Sequence, residues 1–234
     1  MNSKIIIALL LALPVASQAE NPWYLTLGAE LVGRGFSGTN GAGTDDFAST
    51  GSTLALNVGI QRGKWLMGLH SQNTQFAFDG AAPDRDVTDS ANEPNEIDVK
   101  VAQGDLVFGY RAGQRWYPFF GIKNYELTWQ DTTPYVIGYS GLALGVAGYI
   151  PFNEKWLGYG SLAVESLTAK ADANELGKAS GTAVELGLFY NLSERSLLTI
   201  SLESRELRNQ YTDDVGQTFS FGGWSLGYSR RFQF

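Results

Sequence analysis

The chain has 234 residues, with 17 Lys plus Arg against 24 Asp plus Glu, one His and no Cys, giving a formal net charge of −7. The missing cysteines exclude a disulfide framework, thiolate metal sites, a cysteine nucleophile and lipoprotein acylation. The acidic balance argues against nucleic acid as a partner, because neutralising a phosphate backbone needs clustered Lys and Arg.

The first element is MNSKIIIALLLALPVASQAE, with Lys4 in a short n-region, an apolar run from Ile5 to Leu13, a breaker at Pro14, and Ser17-Gln18-Ala19 before Glu20. It reads as a signal peptide over 1–19, cleaved at a small-x-small site, since its apolar run is short for a bilayer-spanning helix. The mature chain, 20–234, is then one domain on the usual size scale.

The 28 Gly, 6 Trp, 11 Tyr and 13 Phe against only 7 Pro favour β structure. Alternation carries the assignment. Leu25, Leu27, Ala29 and Leu31 share one face of the first strand, opposite Thr26, Gly28, Glu30 and Arg34. Leu54, Leu56, Val58 and Ile60 repeat this, as do Val184, Leu186 and Leu188, and then Leu198, Ile200 and Leu202.

Strands are predicted near 23–37, 50–62, 64–78, 97–112, 115–129, 135–150, 156–169, 181–192, 196–208 and 217–234. Most exceed the usual length of soluble strands. Tight connections at 62–64, 112–114, 151–155 and 192–195 alternate with longer polar ones at 38–49, 79–96, 170–180 and 209–216. The expected fold is therefore an all-β, antiparallel, up-and-down transmembrane barrel of ten strands, with eight or twelve as alternatives and both termini periplasmic. Hydrocarbon leaves no other solution for strands, because only a closed ring pairs every backbone group.

Two phase slips predict bulges, one near Lys123 or Asn124 and one between Val101 and Leu106. The uncharged stretch 136–152 has Gly141 and Gly145 at helix-dimer spacing, but Leu142, Leu144, Val146 and Ile150 keep a strand's phase. The acidic segment around Asp79, Asp84, Asp86, Asp89, Glu93, Glu96 and Asp98 reads as a solvated external loop without calcium-loop spacing. No cofactor or metal motif is visible.

The chain ends in GYSRRFQF, where Phe232, Arg230, Tyr228, Leu226 and Trp224 share one face. With the signal peptide and the strand pattern, this end resembles the Gram-negative outer-membrane β-barrel proteins, a small porin-like barrel of unassigned subfamily. The resemblance implies that Tyr228, Phe232 and Phe234 form the C-terminal signal read by the barrel-assembly machinery, and that the barrel sits among outer-membrane lipid and lipopolysaccharide. Ser229 stands where the family often has glycine, and Arg230 falls on the lipid face unless it snorkels or a bulge turns it.

By the same phasing Glu30, Arg34, Asp105, Arg111, Glu165, Glu185, Glu203 and Arg205 face the lumen as a charged network that either plugs it or lines a narrow solute path. His70 is the place to look for catalysis. Outer-membrane phospholipases and lipid A deacylases, similar in architecture, place a serine two residues after their histidine, whereas Ser71 follows His70 directly and so points the other way. No stretch matches the motif of the ten-stranded omptin proteases. The expectation is a barrel that is not an enzyme and has no catalytic residues, with a structural or surface role or a narrow channel for small solutes. The alternatives are a membrane-embedded hydrolase and a surface adhesin or receptor.

Overall fold

In the computed structural model, which describes residues 22–40, 46–84, 96–131, 134–171, 174–211 and 216–234, the alternating segments become ten strands. These are β1 (Trp23–Thr39), β2 (Asp46–Arg62), β3 (Trp65–Asp79), β4 (Glu96–Tyr110), β5 (Trp116–Gln130), β6 (Tyr135–Pro151), β7 (Trp156–Ala171), β8 (Asn174–Ser193), β9 (Ser196–Tyr211) and β10 (Gly216–Gln233). Each pairs antiparallel with its sequence neighbours, and β1 closes onto β10 from Tyr24↔Gln233 to Thr39↔Thr218. The fold is a closed, ten-stranded, up-and-down barrel. The proposed signal peptide lies outside the described residues, as do Asp86, Asp89 and Glu93.

Strand length sets the barrel's height. Strands of 15 to 20 residues are well beyond the roughly 9–11 that cross a bilayer, so much of the wall stands clear of it. The outward side chains divide accordingly. Towards the tight turns they are apolar and exposed: Leu27 and Leu31 on β1, Leu54 and Leu56 on β2, Leu142 and Leu144 on β6, Leu162 and Val164 on β7, Ile200 and Leu202 on β9. So large an exposed apolar belt is what lipid contact requires. Trp65 against Tyr110 and Trp156 against Tyr190 pack in pairs at its lower rim, with ring centroids 4.9 and 4.7 Å apart. Such aromatics suit the membrane interface.

Above the belt the pattern inverts. On β5 Phe120 and Ile122 point outward, then Tyr125, Leu127 and Trp129 point inward and are buried. On β4 Leu106 and Phe108 point outward, while Ile97, Val99 and Val101 are buried inside. The pairing of β3, β4 and β5 runs through both places without a register shift, so the two expected bulges do not occur. What changes is the medium outside the wall. A strand that leaves lipid for water must move its apolar residues to the interior, and the sequence records that exchange as a phase slip. The shifts that exist lie at Ala169/Lys170 and Asn191/Ser193.

The same cause shortens the external connections. β7 ends at Ala171 and β8 begins at Asn174, so most of the loop expected over 170–180 is strand with a polar outer face. The uncharged stretch at 136–152 is β6. Among the described residues no helix is long and apolar enough to cross a membrane.

A charge tests the belt. Leu186 faces outward at mid-belt on β8, and Ser180 lies on the same face above it. Leu186→Arg is expected to cost about 2–4 kcal/mol when unfolding is followed in bilayers. Ser180→Arg should change stability little, and equal costs would displace the membrane boundary drawn here.

Candidate functional site

The lumen is the only enclosed volume a barrel can use, and three layers fill it. The external layer is an apolar core. Phe36 from β1, Phe47 from β2, Phe76 and Phe78 from β3, and Phe219 and Phe221 from β10 meet Val99, Leu127, Trp129, Ile137, Tyr139 and Leu207 there. Phe36, Phe76, Val99, Trp129 and Phe219 are fully buried. Phe36 stacks on Phe221 at 4.5 Å and meets Phe47, Phe76 and Phe219 edge-on at 5.3 to 5.4 Å.

A short segment closes the mouth above this core. Gly80 turns with φ +108°, a left-handed conformation suited to glycine, and the chain then folds inward so that Ala82 and Asp84 are buried. Asn40 Nδ2 donates to the Ala82 carbonyl at 2.8 Å, and the Asp84 amide returns a bond to Asn40 Oδ1 at 3.0 Å. Trp129 Nε1 donates to the Pro83 carbonyl at 2.8 Å, and Gln217 Nε2 donates to Asn40 Oδ1 at 2.9 Å. Tyr211 donates to Gln217 Oε1 at 2.9 Å, and burial pushes its pKa up to about 12, so it remains a donor. This start of the β3–β4 connection, expected as part of a solvated loop, is a cap. Its polar atoms are bonded to Asn40 just past β1, to Trp129 on β5 and to Gln217 on β10, which is why an apolar-poor segment can be buried.

The middle layer holds the charges. Lys123 Nζ lies 2.8 Å from Asp105 Oδ2 and 3.9 Å from Glu165. Arg205 Nε lies 3.4 Å from Glu165 Oε1, with its guanidinium 5.1 Å from the Tyr125 ring. Tyr125 OH donates to Glu165 Oε2 at 3.2 Å. Gln72 Nε2 donates to Gln103 Oε1, and Gln103 Nε2 to Asp105 Oδ2, both at 2.8 Å. Across the lumen Arg34 Nε is 3.3 Å from Glu203 Oε1, and its guanidinium lies 4.5 Å from the Phe221 ring. Glu185 accepts from Tyr159 OH at 2.6 Å, nearer the tight-turn end.

Seven of the expected lumen residues, Glu30, Arg34, Asp105, Glu165, Glu185, Glu203 and Arg205, thus occupy inward positions of their strands. Arg111 does not. It follows the end of β4, and its amide donates to the Lys64 carbonyl at 2.8 Å in the turn region. Lys123, Tyr125, Gln72 and Gln103 went unrecognised. The unbroken two-residue phase Gly121, Lys123, Tyr125, Leu127, Trp129 is the sequence signal that finds two of them.

The lowest layer is aromatic again on one side. Tyr159 stacks on Phe189 at 4.2 Å, and Tyr117 meets Tyr149 edge-on at 5.1 Å. Gly187 lies under the Tyr159 ring, where a Cβ would collide with it. His70 Nδ1 is 2.7 Å from Asn57 Oδ1, and Ser71 points to the outer face of β3. Among the described residues no three His, Asp or Glu side chains come together in a way that could hold a metal ion.

At the C-terminus Tyr228, Arg230 and Phe232 all point outward, and Phe234 is 76% exposed with its amide donating to the Trp23 carbonyl. No bulge interrupts the pairing there. Arg230 lies 5.7 Å from the Phe232 ring at the interface, the snorkelling solution for its charge.

No protein-family model and no curated protein matches the chain. Among solved structures it is similar to the outer membrane protease OmpT from Escherichia coli, at 8% identity and TM-score 0.48 over 93% of this chain and 99% of that one. It is also similar to the outer membrane protein OprG from Pseudomonas aeruginosa, at 14% identity and TM-score 0.38 over 90% and 96% of the two chains. A third is Ail, the attachment invasion locus protein of Yersinia pestis, at 16% identity and TM-score 0.37 over 92% and 100%.

Proposed function

We propose that this protein is a non-catalytic barrel of the Gram-negative outer membrane, with a surface-structural role and a lumen closed to solutes. One observation carries the reading: among the described residues the external half of the lumen is filled by a buried, largely aromatic core, from Phe36 to Trp129, beneath the Gly80–Asp84 cap. The mid-lumen charges then act as a plug. Their ion pairs tie together strands one or two apart, β5 to β4 and β7, and β9 to β7 and β1, while Arg205 reaches the Tyr125 ring on β5. By facing inward they avoid the cost of facing lipid.

The surroundings of His70 support a non-enzymatic role: its ring lies against the Asn57 amide oxygen, and Ser71, next to it in sequence, faces outward. Lipopolysaccharide and outer-leaflet lipid are the natural surroundings of the belt. Tyr228, Phe232 and Phe234 are the segment that the assembly machinery would read.

The test is conductance of the folded chain in planar bilayers. The expected result is no steady current above the bare membrane. Stepwise conductance at low voltage would overturn the closed lumen and favour the narrow channel. Hydrolysis of lipid or peptide that disappears in His70→Ala would overturn the non-catalytic reading.

A further inference from the structure

Every other strand junction is laddered along most of its length, but the β2–β3 ladder runs only from Arg62↔Trp65 to Leu56↔Ser71. Above it, β2 pairs with β1 and β3 with β4, while residues 46–55 and 72–79 make no ladder with each other. The two edges stay close through side chains. Ser49 Oγ donates to the Ala77 carbonyl at 2.5 Å and Thr53 Oγ1 to the Asn73 carbonyl at 2.6 Å. A Cβ on Gly51 would strike the Gln75 carbonyl, so glycine permits this approach. Beside the seam Thr74 is fully buried, and its hydroxyl has no hydrogen-bond partner.

We propose that this seam is an interaction edge that accepts an extended, cationic polypeptide segment as an added strand. The groups left over at the seam are backbone N–H and C=O, which an acyl chain cannot satisfy and another extended backbone can. No backbone ladder has to break first: the seam is held by the two hydroxyl bonds and, inside the wall, by the contact of Phe47 with Phe78, ring centroids 5.9 Å apart. Charge supplies the second half of the partner's description. Asp46, Asp79, Glu96 and Asp98 stand at the external end of β2, β3 and β4, with Lys100 the one cation among the described residues of those stretches. The inference rests on the external half standing above the membrane; the conductance test does not bear on it.

Hydrogen exchange on the folded full chain tests it, with an alternating Lys–Val peptide as the probe and a Glu–Val peptide of equal length as the control. Without peptide, amides at 46–55 and 72–79 should exchange about tenfold faster than those of the β8–β9 ladder, as an unladdered edge opens locally. The Lys–Val peptide should slow them and the Glu–Val peptide should not. Ser49→Ala with Thr53→Val, which removes both bridges, should raise exchange further. Continuing the register from Leu56↔Ser71 sets position 53 opposite 74, both inward. Thr53→Cys with Thr74→Cys should therefore abolish peptide protection when oxidised and recover it when reduced. Seam amides as slow as the ladder, equal protection by both peptides, or protection persisting in the oxidised pair would each overturn the proposal. So would protection conferred by lipopolysaccharide vesicles alone, which would make the occupant a lipid.

Discussion

Phe36→Ala is expected to destabilise the barrel by about 3–5 kcal/mol, the cost of deleting a buried phenyl ring with little room to collapse. Phe36 is fully buried and has five aromatic neighbours, contributed by β2, β3 and β10. None of those strands can close the gap without shifting its own ladder. The control is Phe120→Ala. Phe120 faces outward on β5, 46% exposed, and stacks on Phe108 at 4.9 Å. Lipid refills the space it leaves, so only the ring pair is lost, worth about 0.5–1.5 kcal/mol. Denaturant unfolding of both variants in the same detergent decides the matter. Comparable losses would mean that inside and outside have been assigned wrongly in the external half, and the argument for a sealed lumen would fail with it.

The strand count, the closure and the turn positions were legible because alternation depends only on local geometry. Residues such as Leu142, Leu144 and Val146 must share a face whatever surrounds them. The sequence does not state which face meets which medium. Tyr125, Leu127 and Trp129 are as apolar as Phe120 and Ile122, and only the height of the membrane decides that the first set turns inward. For the same reason the polar outer faces of β7 and β8 above the belt read as loop, and the change of medium beside Lys123 mimics a bulge. The cap was illegible for another reason. Asn40, Gln217 and the carbonyls of Ala82 and Pro83 are far apart in sequence, and only barrel closure brings them together. The β2–β3 seam leaves no mark in composition at all. Ser49, Gly51 and Thr53 are ordinary strand residues until their neighbour fails to form a ladder.

Arg205→Met should cost about 3–5 kcal/mol despite conserving much of the side chain's volume, because it strands a buried carboxylate. Glu165 is 4% exposed and has Arg205 at 3.4 Å, Lys123 at 3.9 Å and the Tyr125 hydroxyl as partners. Without Arg205 the nearest cation is Lys123, which sits closer to Asp105, at 2.8 Å. One lysine must then serve two acids. The penalty belongs to the unpaired charge, not to the loss of a favourable pair, and this gives the prediction its second arm. Glu165→Gln placed in the Arg205→Met background should recover most of the stability, since a neutral amide can keep the Tyr125 contact. A plug made of paired charges requires that coupling. Should the double variant be as unstable as the sum of its parts, Arg205 would be acting through packing on Tyr125, and the middle layer would be a spacer between two aromatic layers.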